Sequence, residues 1–231
     1  EAKVVYCWDM GLIADELALL GTLGSVLPAL ETLYLRERAA GPEGVQQLAA
    51  GLGAGALPAV TWLSLQGTHV GDAGASALAA ALGRGALPRL KSLGLTHAAI
   101  GDAGLVALAP ALRRRPALER LGLSGNPFGD EGLAALVAPP PADAPPPQAE
   151  ALAKLKWLYL GGSQITDDGC AHLASRLRSG ALPALGRWWS HGPSTVYSRP
   201  SPKGRRSGQM TWWPTAMPFE TPPLCWLTSA C

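Results

Sequence analysis

Leu57 to Gly83 reads LPAVTWLSLQGTHVGDAGASALAAALG, and the fold is decided in this stretch. From Thr61 to Gln66 the chain alternates: Leu63 and Leu65 point one way, and Trp62, Ser64 and Gln66 the other, the mark of a short half-buried strand. Val70 follows five residues after Leu65 and is expected to fold back onto the leucines. Gly71-Asp72-Ala73-Gly74 then opens a helix in which Ala75, Leu78 and Leu82 fall at i, i+3 and i+7, on one face. Gly83 and Gly85 stop that helix, and Pro88 opens the next turn.

Working outward, the same phrase returns. It stands at Leu27–Leu35 (LPALETLYL), Leu87–Leu95 (LPRLKSLGL), Arg115–Leu123 (RPALERLGL) and Leu152–Leu160 (LAKLKWLYL). A sixth copy opens with LPAL at Leu182 and breaks, because Trp188 and Ser190 occupy the positions where leucines are due. The starts lie 30, 30, 28, 37 and 30 residues apart. A period of this length means stacked strand–helix units and not one globular core. The returning apolar residue is read as Ile13, Ala40, Val70, Ile100, Phe128 and Ile165. The other helix faces are Val45/Leu48/Leu52, Leu105/Leu108/Leu112, Leu133/Leu136 and Cys170/Leu173/Leu177. Pro140 cuts the fourth short, and residues 139–148 (PPPADAPPPQ) form an extended insertion that accounts for the long spacing. The first unit is degenerate: Tyr6 and Trp8 take its strand leucine positions, and its helix register slips around Leu17 and Leu20.

A unit of this kind cannot bury its apolar face alone, so neighbours stack. Strands pair about 4.8 Å apart whereas helices need roughly 8–10 Å. That mismatch bends the stack into an arc, with parallel strands on the concave side and helices on the convex side. LxxLxxLxL, a short loop, Gly-Asp-x-Gly and an Ala/Leu-rich helix together resemble ribonuclease-inhibitor-like leucine-rich repeats, over roughly residues 4–187. The resemblance implies an α/β right-handed horseshoe solenoid of five to six repeats that binds a protein through its concave face and is not an enzyme. The same subclass includes the Ran GTPase-activating protein and the sensor regions of NOD-like receptors, which leaves a GTPase-activating regulator or a sensor fragment as alternatives. A loop arginine can matter in GTP hydrolysis, and Arg38 is the only arginine in the post-strand loop ladder, but no local motif assigns it a role. Repeats of this family often carry an Asn three residues past the last strand leucine, where its amide bonds loop backbone. Here Gly11, Arg38, Thr68, Ala98, Asn126 and Ser163 stand in that slot, so the loops are expected to be less firmly tied.

The 231 residues are 48% hydrophobic but 6% aromatic, so the core is built mainly from Leu and Ala. The net charge is +2, and residues 186–231 carry five basic groups against Glu220 alone. The basicity therefore belongs to the tail and does not describe a nucleic-acid-binding array. Cys7, Cys170, Cys225 and Cys231 form no CxxC pair or disulfide framework, which makes a reducing compartment, the cytoplasm, the expected location. No run of 18 apolar residues suggests a membrane span. The chain opens on Glu1 and not Met, so the lack of a leader carries little weight.

Catalytic, metal and cofactor sites are not expected. Asp72, Asp102, Asp130 and Asp167 recur at one repeat position, where a carboxylate caps N–H groups at a helix start; catalysis would need one special arrangement and not a series. His69 and His97 lie at different loop offsets with no further zinc ligands, and Cys170 takes an apolar helix position. The Gly-x-x-Gly strings lack the Gly-Lys-Ser/Thr of a phosphate loop.

Alternation puts Thr32/Tyr34/Arg36, Trp62/Ser64/Gln66, Ser92/Gly94/Thr96, Arg120/Gly122/Ser124 and Trp157/Tyr159/Gly161 on the concave face. Tyr, Trp and Arg dominate interface energetics. Tyr34, Arg36, Trp62, Gln66, Arg120, Trp157 and Tyr159 are therefore the expected protein contacts, flanking a shallow saddle at Gly94 and Gly122. Residues 188–231, rich in Pro, Ser and Trp, are read as an irregular, disordered tail. A basic–aromatic arm stacking on single-stranded nucleic acid is the less favoured reading of that tail.

Overall fold

A computed structural model of the protein describes residues 2–22, 27–38, 41–139, 152–189 and 196–198. They lie within one compact unit, Glu1–Pro200, and Ser201–Cys231 falls outside the described residues. Strands β1 (Val4–Trp8), β2 (Thr32–Arg36), β3 (Trp62–Ser64), β4 (Ser92–Gly94), β5 (Arg120–Gly122), β6 (Trp157–Tyr159), β7 (Arg187–Trp189) and β8 (Val196–Ser198) form one sheet in chain order. Neighbours from β1 to β7 are parallel, and β8 is antiparallel to β7. Between the strands run α1 (Ala14–Leu20), α2 (Gly41–Gly51), α3 (Gly71–Gly83), α4 (Asp102–Arg113), α5 (Asp130–Leu136) and α6 (Asp167–Arg178).

The leucine phrase explains the register. Leu33, Leu63, Leu93, Leu121 and Leu158 are direct partners across successive strands, so one sequence position becomes one buried row. Leu35, Leu65, Leu95, Leu123 and Leu160 form a second row, and Leu30, Val60, Leu90, Leu118 and Leu155 a third, all essentially inaccessible. Val70, Ile100, Phe128 and Ile165 return to this core as expected, and the helix faces close it from the other side. Cys170 is half-buried against it. Ala40 and most of the 139–148 insertion lie outside the described residues.

The first unit corrects the expected register by one residue. Val5 and Cys7, not Tyr6 and Trp8, pair with Leu33 and Leu35, so Tyr6 and Trp8 project from the opposite face. The shift carries into the loop: Leu12 packs against the core while Ile13 is exposed. Side chains alternate with period two, so a one-residue slip moves every side chain to the other face of the sheet. Because β1 pairs with β2 alone, the described residues of this unit expose Val4, Met10 and Leu19 as well.

The broken sixth phrase still yields a strand. Leu182 and Leu185 are buried, and Trp188 takes the register of Leu158 through backbone pairing, which does not require leucine. The sheet continues to Ser198, past the boundary expected at residue 187.

Polar contacts between repeats fix each unit to the next. Three of the four recurring aspartates, Asp72, Asp102 and Asp130, meet helix starts, but not those of their own helices. Asp72 Oδ1 accepts from the Gly101 amide at 2.7 Å, and Asp102 Oδ1 from Gly129 and Gly132 at 2.9 and 2.7 Å. Asp130 accepts from the Thr166 amide and hydroxyl at 2.8 and 2.5 Å. Each carboxylate therefore meets the start of the following repeat's helix. The second glycine of Gly-Asp-x-Gly makes room for it: a Cβ on Gly104 would stand 2.5 Å from Asp72 Oδ1, and one on Gly132 2.9 Å from Asp102 Oδ1. A Cβ on Gly169 would overlap Asp130 Oδ1 in the same way.

Arginines serve the other helix ends, where carbonyls lack partners and the dipole favours cations. Arg84 donates to Ala49 O and Leu52 O at 2.9 and 3.3 Å, and Arg115 to Leu82 O and Leu87 O. Arg113 donates to Ala135 O at 3.2 Å, and Arg176 to Val137 O at 3.1 Å. Burial lowers the pKa of Arg113 and Arg115 from the usual guanidinium value. These bridges, spanning 22 to 39 residues of sequence, tie the helix ends of successive repeats together.

Candidate protein-binding face

On the helix-free, concave face, register arranges the side chains in three rows. The first runs Val4, Thr32, Trp62, Ser92, Arg120, Trp157, and the second Tyr6, Tyr34, Ser64, Gly94, Gly122, Tyr159. The third, one step beyond the shorter strands, begins Trp8, Arg36 and continues Gln66, Thr96, Ser124, Gly161.

The expected contacts Tyr34, Trp62, Gln66, Trp157 and Tyr159 are half-buried here, and Arg36 and Arg120 are exposed. Tyr34 stacks on Tyr6 with centroids 4.9 Å apart and 7° between planes, and meets Trp62 at 5.9 Å. Tyr6 meets Trp8 edge-on at 5.7 Å. The Arg120 guanidinium lies 4.4 Å from the Trp157 ring centroid and 5.7 Å from that of Trp62. Arg120 reaches both because the strand between it and Trp62 presents the small Ser92 at that level. The result is one chain of contacts from Trp8 through Tyr6, Tyr34, Trp62 and Arg120 to Trp157. Arg36 stands apart, its Nε beside Gly67, and Tyr159 shares Tyr34's row on the far side of the glycines.

Small residues stand mid-row on this face. Ser64 and Ser92 are 7% exposed, and Cβ atoms on Gly94 and Gly122 would come within 3.2 Å of Ser64 Oγ and 3.3 Å of Thr96 Oγ1. Burial, and then the neighbouring Tyr6, pushes the Tyr34 phenol above its usual pKa, so it stays a neutral donor across the physiological range. At the lower rim Lys3 pairs with Glu31 at 2.9 Å and Lys156 with Glu119 at 2.8 Å, with the Lys156 ammonium 5.9 Å from Trp157.

Sequence reasoning missed Tyr6 and Trp8 as face residues because of the slipped register. It also missed Glu37. This fully buried residue accepts from Met10 N through Oε1 at 2.8 Å, and from Gly11 and Leu12 N through Oε2 at 3.1 and 3.3 Å. Cys7, beneath that loop, has its thiol pKa raised, first by burial and then by the Glu37 carboxylate. The loops are thus tied from the neighbouring repeat. Asn126 accepts from Ala98 and Ile100 N at 3.0 and 3.1 Å and donates to Leu95 and Leu123 O at 2.7 Å each. Thr68 donates to Leu35 O and accepts from Glu37 N. Ala98 therefore has no need of a polar side chain of its own.

His69 and His97 are exposed on these loops. Among the described residues no His, Cys, Asp and Glu cluster of three has a metal-binding arrangement, and no helix is long and apolar enough to cross a membrane.

Residues 60–79, 87–109 and 116–137 match the family model described as Leucine Rich repeat. The fold is an α/β leucine-rich-repeat solenoid. No curated protein matches the chain. Among solved structures it is similar to leiomodin-1 actin-binding site 2, at 15% identity and a TM-score of 0.48, over 74% of this chain and 87% of that one. It is also similar to two internalins of Listeria monocytogenes. For inlF the identity is 15% and the TM-score 0.39, over 75% of this chain and 45% of that one. For inlC2 the values are 19% and 0.40, over 81% and 80%.

Proposed function

We propose that this protein is a non-enzymatic scaffold that holds a protein partner on its concave face. The observation carrying the proposal is the aromatic–arginine chain from Trp8 to Trp157, half-exposed on the sheet. Large, flat side chains fixed by their neighbours lose little entropy on binding, and Trp, Tyr and Arg recur as interface anchors. Stacked repeats, for their part, build extended surfaces. The test is affinity capture from a cell extract with the native chain and with a Trp62→Ala/Tyr159→Ala/Arg36→Ala variant, quantified by mass spectrometry. Partners held by the native chain are expected to vanish from the variant with its circular dichroism unchanged. Equal capture by both would place the binding site elsewhere.

A further inference from the structure

We propose that the concave face takes an acidic, extended peptide segment, gripped at two carboxylates by Arg36 and Arg120. This rests on the reading of that face as the binding surface and adds the chemistry of what it binds. The strand-face positions of β1 to β6 carry Arg36 and Arg120 and no Asp or Glu. Of the carboxylates near the rim, Glu31 is engaged by Lys3, Glu119 by Lys156 and Glu37 by three backbone amides, and Asp9, beside the end of β2, is exposed. Among the described residues neither Arg36 nor Arg120 forms an ion pair.

The Arg120 guanidinium is held between Trp62 and Trp157. A cation–π contact uses the charge of the guanidinium and not its N–H donors, which can match a carboxylate bidentately. The rings fix the side chain in advance, so less entropy is lost when an anion arrives.

Arg120 lies three strands from Arg36 and four residues back along the strand direction. At strand spacings of about 4.8 Å and rises of about 3.3 Å, that is a diagonal of about 19 Å, the span of roughly six residues of extended chain. The diagonal crosses the small residues Ser64 and Gly94, with Trp62 beside it for an apolar side chain. A protein segment with two acidic residues about six apart and apolar residues between them fits each of these features.

The experiment pans a random twelve-residue displayed-peptide library on the intact chain and measures the winners as synthetic peptides. Winners are expected to carry an Asp or Glu pair about six residues apart. They should weaken by about tenfold or more when Arg36 or Arg120 is replaced by Ala, or when their own acids become amides, the loss expected for charge-assisted hydrogen bonds. Winners that need Trp62 but are neutral or basic, or that ignore both arginine replacements, would overturn the acidic-segment inference and leave the face reading standing. An absence of winners sensitive to Trp62→Ala would overturn both.

Discussion

Gly132→Ala is expected to destabilise the protein although it places alanine inside a helix. An ordinary helical glycine replaced by alanine gains about 1 kcal/mol in propensity. Here the new Cβ would stand 2.9 Å from Asp102 Oδ1 and 3.2 Å from Leu105 Cβ and Cδ2. The Asp102 carboxylate must leave its seat and give up the bonds from Gly129 and Gly132 at 2.9 and 2.7 Å. Charge-assisted bonds of this kind are worth about 1.5–3 kcal/mol each, and the lower end applies because the half-buried carboxylate regains some water. The two bonds together cost about 3 kcal/mol, which against the propensity gain leaves a net loss of about 2 kcal/mol. Asp102→Ala alone should cost about 2–3 kcal/mol, because the same bonds go. The two effects should not add: once Asp102 is Ala, Gly132→Ala costs little or nothing more. Urea unfolding followed by far-ultraviolet circular dichroism reads this as shifts in midpoint at unchanged slope. A raised midpoint for Gly132→Ala, or simple additivity in the double variant, would refute the nested carboxylate.

Other expectations follow from the same contacts. Asn126→Ala strips a fully buried tie from four backbone groups and is expected to cost about 3–5 kcal/mol, because buried polar groups left unpaired cost about 1–3 kcal/mol each. Hydrogen exchange should rise first at Ala98 and Ile100, and unchanged protection there would contradict the tie. Asp130 is held below the usual carboxylate pKa, first by the Thr166 hydroxyl and then by its amide. Its folded-state pKa therefore lies below its unfolded one, and its contribution is present above the unfolded value and lost as pH falls through the folded one. Asp130→Asn should flatten the acid limb of the urea-midpoint curve, whereas curves parallel to the native one would dismiss the effect.

The core was legible because leucine at a fixed offset has one use in a parallel stack: Leu63 announces its role in sequence and meets Leu33 and Leu93 in space. The first unit was harder because both alternating sets, Val5/Cys7 and Tyr6/Trp8, are apolar. Counting back five from Leu12, as from Val70 to Leu65, would have selected Cys7. The aspartates looked like local turn chemistry, since nothing in Gly-Asp-x-Gly says that its carboxylate and its second glycine serve opposite neighbours about thirty residues away. Glu37 sits one residue before the expected loop slot, so a search for Asn or its substitutes at Arg38 passes over it. On the face, alternation identified Trp62, Arg120 and Trp157 as one row, but the bridging of the two rings by Arg120 depends on how far a side chain reaches past Ser92, which spacing does not encode.

Oxidative footprinting of the protein, alone and with a partner captured through it, tests the central claim most directly. Tyr34, Trp62 and Trp157 should lose reactivity in the complex while the exposed Val106 and Leu19, on the helices, keep theirs. Protection on the helices with the aromatic face as reactive as before would contradict the account.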